Sequence, residues 1–140
     1  MIRLFVPDDL RAGAEIEPRP EQSHYLANVM RLSAGDEVRL FNGRDGEWGG
    51  AIAALRRDRA EFEVATVRRA QVAEPDLWLV FALLKRDATD LVVQKATELG
   101  VGALLPVITA RTNAERINAA RLTAIAIETV AETACAPELP

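Results

Sequence analysis

The run Lys85-Arg86-Asp87-Ala88-Thr89-Asp90-Leu91-Val92-Val93-Gln94-Lys95-Ala96-Thr97-Glu98-Leu99-Gly100-Val101 lies between two apolar runs, residues 77–84 and 101–108. Strand, polar-faced helix, strand is the simplest account, which makes this a βαβ unit. Asp87 or Thr89 is placed to cap the helix start, and Asp90 adds negative charge to the first turn, where the helix dipole favours it. Ala88, Val92, Ala96 and Leu99 share one face, expected to pack on a sheet. Asp87, Asp90, Gln94 and Glu98 share the opposite face, and Gly100 stands where a left-handed residue ends a helix.

Lys85 and Arg86 fall at the carboxyl end of the first strand, the edge where open α/β sheets bind ligands. A basic pair ahead of a helix opposes the helix dipole, so it points to an anionic partner. On composition alone a solvated charge cluster is the favoured reading of the pair. The loop after the second strand, Thr109-Ala110-Arg111-Thr112-Asn113, lies at the same edge, and Asn113 is a candidate cap for a last helix over residues 114–134. Lys95 and Glu98, three residues apart, can pair on the helix surface for roughly 0.2–0.5 kcal/mol.

Upstream of residue 75 the pattern changes to short strands and turns. Residues 3–6 form a strand stopped by Pro7, and residues 15–17 a weaker one. Residues 21–32 read as a short helix, with Leu26, Val29 and Met30 inward and His24, Asn28 and Arg31 on a polar face. No nucleophile accompanies His24, so it reads as a surface or half-buried histidine; the Arg31 guanidinium is suited to holding a phosphate with two hydrogen bonds. A strand over 37–42 with Val38 and Leu40 on one side leads into the turn pairs Asn42-Gly43 and Asp45-Gly46. The return strand, 48–55, carries a Gly49-Gly50 bulge signal, and Ala60, Phe62, Val64 and Thr66 alternate along a further half-buried strand. This spacing implies a small β-barrel. Residues 68–75 read as a polar linker; Arg68 and Arg69 either extend a basic strip toward Lys85 and Arg86 or, at least as readily, belong to an ordinary solvated linker.

The 140 residues suffice for one ordinary domain or two small ones, and 49% hydrophobic content supports a buried core. A net charge of −4 argues against a surface coated in positive charge and leaves room for a local basic strip. One cysteine, Cys135, excludes an intramolecular disulfide, and one histidine makes a His/Cys zinc site untenable, so no metal is expected. No run of about twenty apolar residues is present, so a soluble, cytoplasmic protein without membrane association is expected. No glycine-rich phosphate loop, paired-carboxylate site or Ser/His/Asp arrangement is visible, and no catalytic residue is assigned.

The segments Arg3-Leu4-Phe5-Val6, residues 23–32 with Gly35-Asp36-Glu37-Val38 and Leu40-Phe41-Asn42-Gly43, and Lys85-Arg86 through Gln94–Val101 with Pro106, Thr109 and Arg111 resemble, in order, the bacterial methyltransferases that act on N3 of a uridine in 16S ribosomal RNA. These belong to the SPOUT class. The resemblance implies a mixed α+β and α/β chain: residues 1–72 as a PUA-like RNA-binding β-barrel, residues 76–140 as the start of a trefoil-knot methyltransferase domain. It implies RNA contacts at Arg3, Arg31, Lys85, Arg86 and Arg111, with His24, Lys95 and Glu98 as structural or site-supporting residues. It implies 16S ribosomal RNA of the small subunit as partner and a homodimer for the full-length family. S-adenosylmethionine would bind in the knot, beyond the residues present, so a complete cofactor site and activity of this chain alone are not expected. Where the family's last helix continues into Ala-Glu-Gln and an arginine, this chain has Ala131-Glu132-Thr133-Ala134-Cys135-Ala136-Pro137. The competing readings are a non-catalytic RNA-binding module and a protein-interaction domain without nucleic acid.

Overall fold

A computed structural model describes residues 1–56, 59–73, 75–112 and 116–133. The chain divides into two compact units, Met1–Val72 and Ala73–Pro140.

The first unit is a mixed five-stranded half-barrel. Its strands are β1 (Arg3–Phe5), β2 (Glu15–Ile16), β3 (Glu37–Phe41), β4 (Glu47–Leu55) and β5 (Ala60–Arg69), in the order β1-β3-β4-β5-β2. Only β1 and β3 are parallel; the other pairings are antiparallel. Alternation sets the inner face: Val38 and Leu40 from β3, Ile52 from β4, and Ala60, Phe62 and Val64 from β5 are all buried. Leu4, Val6, Leu10, Ile16 and Leu26 complete this core. The β4–β5 register shifts between Gly49 and Gly50, the bulge that the glycine pair signals. β5 runs through Arg69, so Arg68 and Arg69 belong to a strand and not to a linker; Trp48 pairs with Val67 and Glu47 with Arg69 to hold it there.

The turn between β3 and β4 also ties down the loop after β1. Asn42 Oδ1 accepts from the N–H groups of Arg44 and Asp45, and Asn42 Nδ2 donates to the Asp8 carbonyl. Asp45 accepts from the Leu10 N–H at 2.9 Å, and Arg44 pairs with Asp9. The Leu10 N–H, then Asn42 and Arg44, lower the Asp45 pKa to about 2.

A second constraint is ionic. Register places Arg3 directly opposite Arg39, a repulsive pair by itself. Glu47, at the start of β4, lies between them: its Oε2 is 2.7 Å from Arg3 Nη2 and its Oε1 is 2.8 Å from Arg39 Nη1. The Arg3 guanidinium also sits 4.7 Å from the centroid of the Phe41 ring. Burial pushes the Glu47 carboxyl up, but hydrogen bonds and charge from Arg3 and Arg39 reverse this and hold it below its ordinary value.

The segment read as one helix over 21–32 is two pieces. α1 (Pro20–His24) passes into a π turn, Tyr25–Val29, in which the Met30 N–H bonds the Tyr25 carbonyl. Leu26 is buried as expected, whereas Val29 is 61% exposed and Met30 is exposed. An i→i+5 turn advances less than the roughly 100° per residue of an α-helix, so positions 29 and 30 swing off the inner face. Gln22 fixes α1 to the sheet, donating to the Phe5 carbonyl at 2.8 Å.

In the second unit, β6 (Trp78–Ala82) and β7 (Ala103–Val107) are parallel neighbours joined through α2 (Arg86–Glu98), the expected βαβ unit. Pro106, which lacks a donor, is accommodated because β7 pairs only with β6 among the described residues. α3 (Ala119–Thr133) packs against α2.

The α2 face differs from the expected one. Thr89, Val93 and Ala96 are buried, while Leu99 is 81% exposed. Neither Asp87 nor Thr89 caps the helix; Lys85 is the cap residue, without a side-chain bond. Thr89 instead bonds the strand exit, accepting from the Leu84 N–H at 3.0 Å and donating to the Leu84 carbonyl at 3.2 Å. This fixes the helix rotation about one residue away from the apolar stripe. Asp90 faces α3, paired with Arg121 at 2.7 Å, and is not on a solvent face. Gly100 (φ 78°) ends α2 as expected: the Gly100 N–H bonds Thr97 and the Val101 N–H bonds Ala96. α3 starts at Ala119, five residues later than expected, because Asn118 caps it by accepting the Arg121 N–H. Asn113, the expected cap, lies outside the described residues.

Two stability predictions follow from these contacts. A carboxyl whose folded pKa is depressed contributes stability above its unfolded pKa and loses it as pH falls through the folded value. Stability against denaturant should therefore fall below about pH 4.5, and Glu47→Gln should flatten that acid limb while costing about 2 kcal/mol at pH 7. Thr89→Val should cost about 1–2 kcal/mol by the same measurement, because Leu84 loses both bonds to the hydroxyl.

Candidate nucleic-acid interface

Parallel pairing of β6 with β7 brings the loops after both strands to one edge. Ala82 and Val107 are register partners; Lys85 follows three residues after one and Arg111 four residues after the other. Lys85 and Arg86 are exposed at the start of α2, where Thr89 holds the strand exit. Arg111 is exposed within a turn in which the Thr109 N–H donates to Thr112 Oγ1 and the Thr112 N–H donates to the Thr109 carbonyl, both at 3.0 Å. Among the described residues none of these three cations forms an ion pair. Exposed cations without ion pairs, two of them at a helix N-terminus that also carries Asp87, make an edge suited to a phosphate group.

In the first unit, Arg31 is exposed and has φ 54°, the only positive φ at a non-glycine residue among those described. Holding a side-chain-bearing residue in that region costs about 1–2 kcal/mol. It is imposed by the exit of the π turn, where the Leu32 N–H reaches the Leu26 carbonyl at 3.0 Å. π turns and left-handed non-glycine residues recur at functional sites. His24, Tyr25 and Asn28 are exposed on the same turn, and Asn28 Nδ2 donates to the His24 carbonyl. Tyr25 is an exposed aromatic ring on the turn that leads to Arg31, and an exposed aromatic face is suited to an unstacked base. Sequence patterning missed Tyr25 because a regular helix was assumed there.

The remaining candidates are engaged in contacts within the chain. The Arg3 side chain is 8% exposed and bound to Glu47 and Phe41, so it does not present a guanidinium to a ligand. Its apolar neighbours in the pattern Arg3-Leu4-Phe5-Val6 bury the strand that carries it. Lys95 and Glu98 pair with each other at 2.8 Å on the α2 surface. Among the described residues no group of three or more His, Cys, Asp and Glu side chains is arranged to hold a metal, and no helix is long and apolar enough to cross a membrane. The sequence reading also passed over Arg116 and Arg121, whose positions ahead of and within the first turn of α3 became meaningful only once the helix start was known.

Residues 18–65 match the family model described as the RNA methyltransferase PUA domain, and residues 72–136 match the RNA methyltransferase domain. A Rickettsia conorii protein named ribosomal RNA small subunit methyltransferase E is 30% identical over 127 residues, which cover 90% of this chain and 52% of that protein. A Synechocystis protein of the same name is 30% identical over 110 residues, covering 79% of this chain and 36% of that one. The chain thus spans about half or less of the length of these curated relatives. A ribosomal RNA small subunit methyltransferase E from Neisseria gonorrhoeae, solved bound to S-adenosyl methionine, superposes with a TM-score of 0.81 at 26% identity, over 96% of this chain and 57% of that one. A Legionella pneumophila structure titled as a putative methyltransferase with bound cofactor shares the fold, with a TM-score of 0.83 at 24% identity over 95% and 58% of the two chains.

Structural and exposed cations are separable by stability. Arg3→Ala should cost about 3 kcal/mol in chemical unfolding, because it leaves a buried carboxylate facing one partner instead of two. Lys95→Ala should change stability by less than about 0.5 kcal/mol.

Proposed function

We propose that this chain, whose two segments match the RNA methyltransferase PUA domain and the RNA methyltransferase domain in order, supplies the RNA-holding portion of a small-subunit ribosomal RNA methyltransferase. The reaction is transfer of a methyl group to N3 of a uridine in 16S ribosomal RNA. The observation that carries this reading is the edge of the β6–β7 pair, where Lys85, Arg86 and Arg111 stand exposed and without ion pairs among the described residues.

These groups contact RNA phosphates, positioning the strand without reading its sequence. Arg31 and Tyr25 give the PUA-like unit a second contact, one charged and one aromatic. Arg3 drops out of the contact set and serves the fold. His24 is a surface side chain on the Tyr25 turn, and Lys95 with Glu98 supports α2.

S-adenosylmethionine supplies the methyl group, carried on a sulfonium centre. The cationic edge does not suit that centre, and no residue of this chain is assigned to hold it; the segments by which the relatives exceed this chain are its place in this reading. RNA held at the edge must present uridine N3 in line with the donor, and orientation of that kind is what fixed phosphate contacts contribute. The longer protein is expected to work as a homodimer in the cytoplasm, where ribosomal subunits are assembled.

The test is binding of a small-subunit ribosomal RNA fragment, followed by fluorescence anisotropy across a salt series. Affinity should fall steeply with salt, and the triple variant Lys85→Gln, Arg86→Gln, Arg111→Gln should lower the slope of log affinity against log salt by about 2, three phosphate contacts on single-stranded RNA. In a form of the protein with the relatives' full length, labelled methyl from S-adenosylmethionine should enter 16S ribosomal RNA. RNA binding that is absent, or indifferent to both salt and the triple variant, contradicts the reading.

A further inference from the structure

A pocket of about 170 Å³ opens in the second unit between the starts of α2 and α3. Arg86, Arg116 and Arg121 line it, together with Thr89, Asn118 and Leu122. We propose that this pocket binds one phosphate group, a backbone phosphodiester of the RNA that the protein holds. The inference rests on the RNA-binding reading above and extends it from an exposed edge to a defined subsite.

Charge is the first argument. Three guanidinium groups meet one carboxylate, Asp90, which is bound to Arg121 through contacts of 2.7 and 2.8 Å. Only the Arg121 Nη1–Asp90 Oδ2 contact has hydrogen-bond geometry; Asp90 Oδ1 is enclosed and met by charge alone. Arg86 and Arg116 form no ion pair among the described residues. Two cations, both exposed, therefore remain without a paired counter-charge where they line the pocket.

Geometry is the second. Arg86 is the first residue of α2, and Arg116 precedes α3 by three residues. Each helix directs the positive end of its dipole toward this region; α2 carries Asp87 in its first turn, whereas α3 has no acidic residue there to compensate it. Asn118 uses its Oδ1 to cap α3, which leaves its amide N–H groups as donors without a partner among the described residues. Thr89 is already bonded to Leu84, so it shapes the pocket wall without contributing a donor.

Size is the third. The volume falls below the roughly 300–1,000 Å³ of sites that enclose a whole small molecule, which suits one anionic group while the attached nucleosides stay outside. Arginine pairs on phosphate make two parallel hydrogen bonds each, a match that a planar fork provides and a lysine does not.

The decisive variant is Arg116→Gln, at an exposed position that caps nothing and pairs with nothing among the described residues. It should weaken binding of a small-subunit ribosomal RNA fragment about tenfold, equally across RNA sequences, and lower the salt slope by about 1. Arg116→Lys should restore only part of the affinity. In ¹⁵N NMR of the whole chain, inorganic phosphate and then the RNA fragment should shift the Nε–H signals of Arg86 and Arg116 and leave that of Arg39 unmoved. If the unaltered chain binds RNA but Arg116→Gln binds it equally well, with the same salt slope, the subsite is overturned and the RNA-binding reading stands. If phosphate shifts those signals while RNA does not bind, the pocket is a site for the free ion and both the phosphodiester assignment and the broader reading fall.

Discussion

The hydroxyl of Thr89, bonded at once to the N–H and the carbonyl of Leu84, is the contact on which the candidate site depends. A strand leaving a sheet has free backbone groups, and a helix beginning there has free N–H groups of its own. One side chain reaching back across five residues satisfies the former and sets the helix rotation. With that rotation set, Lys85 and Arg86 lie at the strand exit, Asp90 turns to Arg121, and α3 is brought alongside with Arg116 and Asn118 at its start. The parallel register of β6 and β7 then adds Arg111 from the neighbouring loop.

Two sets of cations in this chain have different physical roles. In the first unit Glu47 gathers Arg3 and Arg39, and Asp45 and Asp9 engage Arg44. Those guanidinium groups neutralise carboxylates and hold strands and loops in register. At the β6–β7 edge the balance is reversed: Lys85, Arg86, Arg111 and Arg116 have no carboxylate partner among the described residues, and Lys85 and Arg86 stand at the N-terminus of α2, where positive charge is unfavourable. A net charge of −4 conceals this division, because it averages internal pairs with a local excess. The cations without internal partners, and not the total, determine what the surface attracts.

Much of the fold was legible where one local rule acted alone. The period-two alternation of Ala60, Phe62 and Val64, the Gly49-Gly50 bulge and the Gly100 helix end all lie where patterning put them. Errors arose where a tertiary contact overrode the local rule. Leu99 continued an apolar stripe by spacing, but Thr89 rotated the helix away from it. Val29 and Met30 followed helical spacing, but a π turn at Tyr25–Val29 broke the phase. Arg3 looked like any basic residue near a terminus; only strand register, which sets it against Arg39 and beside Glu47, reveals a structural role. The candidate site was readable only in part for the same reason. Lys85 and Arg86 stood out because a basic pair before a helix is locally unfavourable, whereas Arg116 needed the start of α3 to be known.

The central claim is that RNA seats on the carboxyl edge of the β6–β7 pair. Hydrogen–deuterium exchange of the whole chain, with and without a small-subunit ribosomal RNA fragment, tests it most directly. The account predicts slowed exchange at residues 84–89, 109–112 and 116–122. Protection confined to the β3–β4 turn around Asn42–Gly46, or absent from all three segments while RNA is bound, would contradict it.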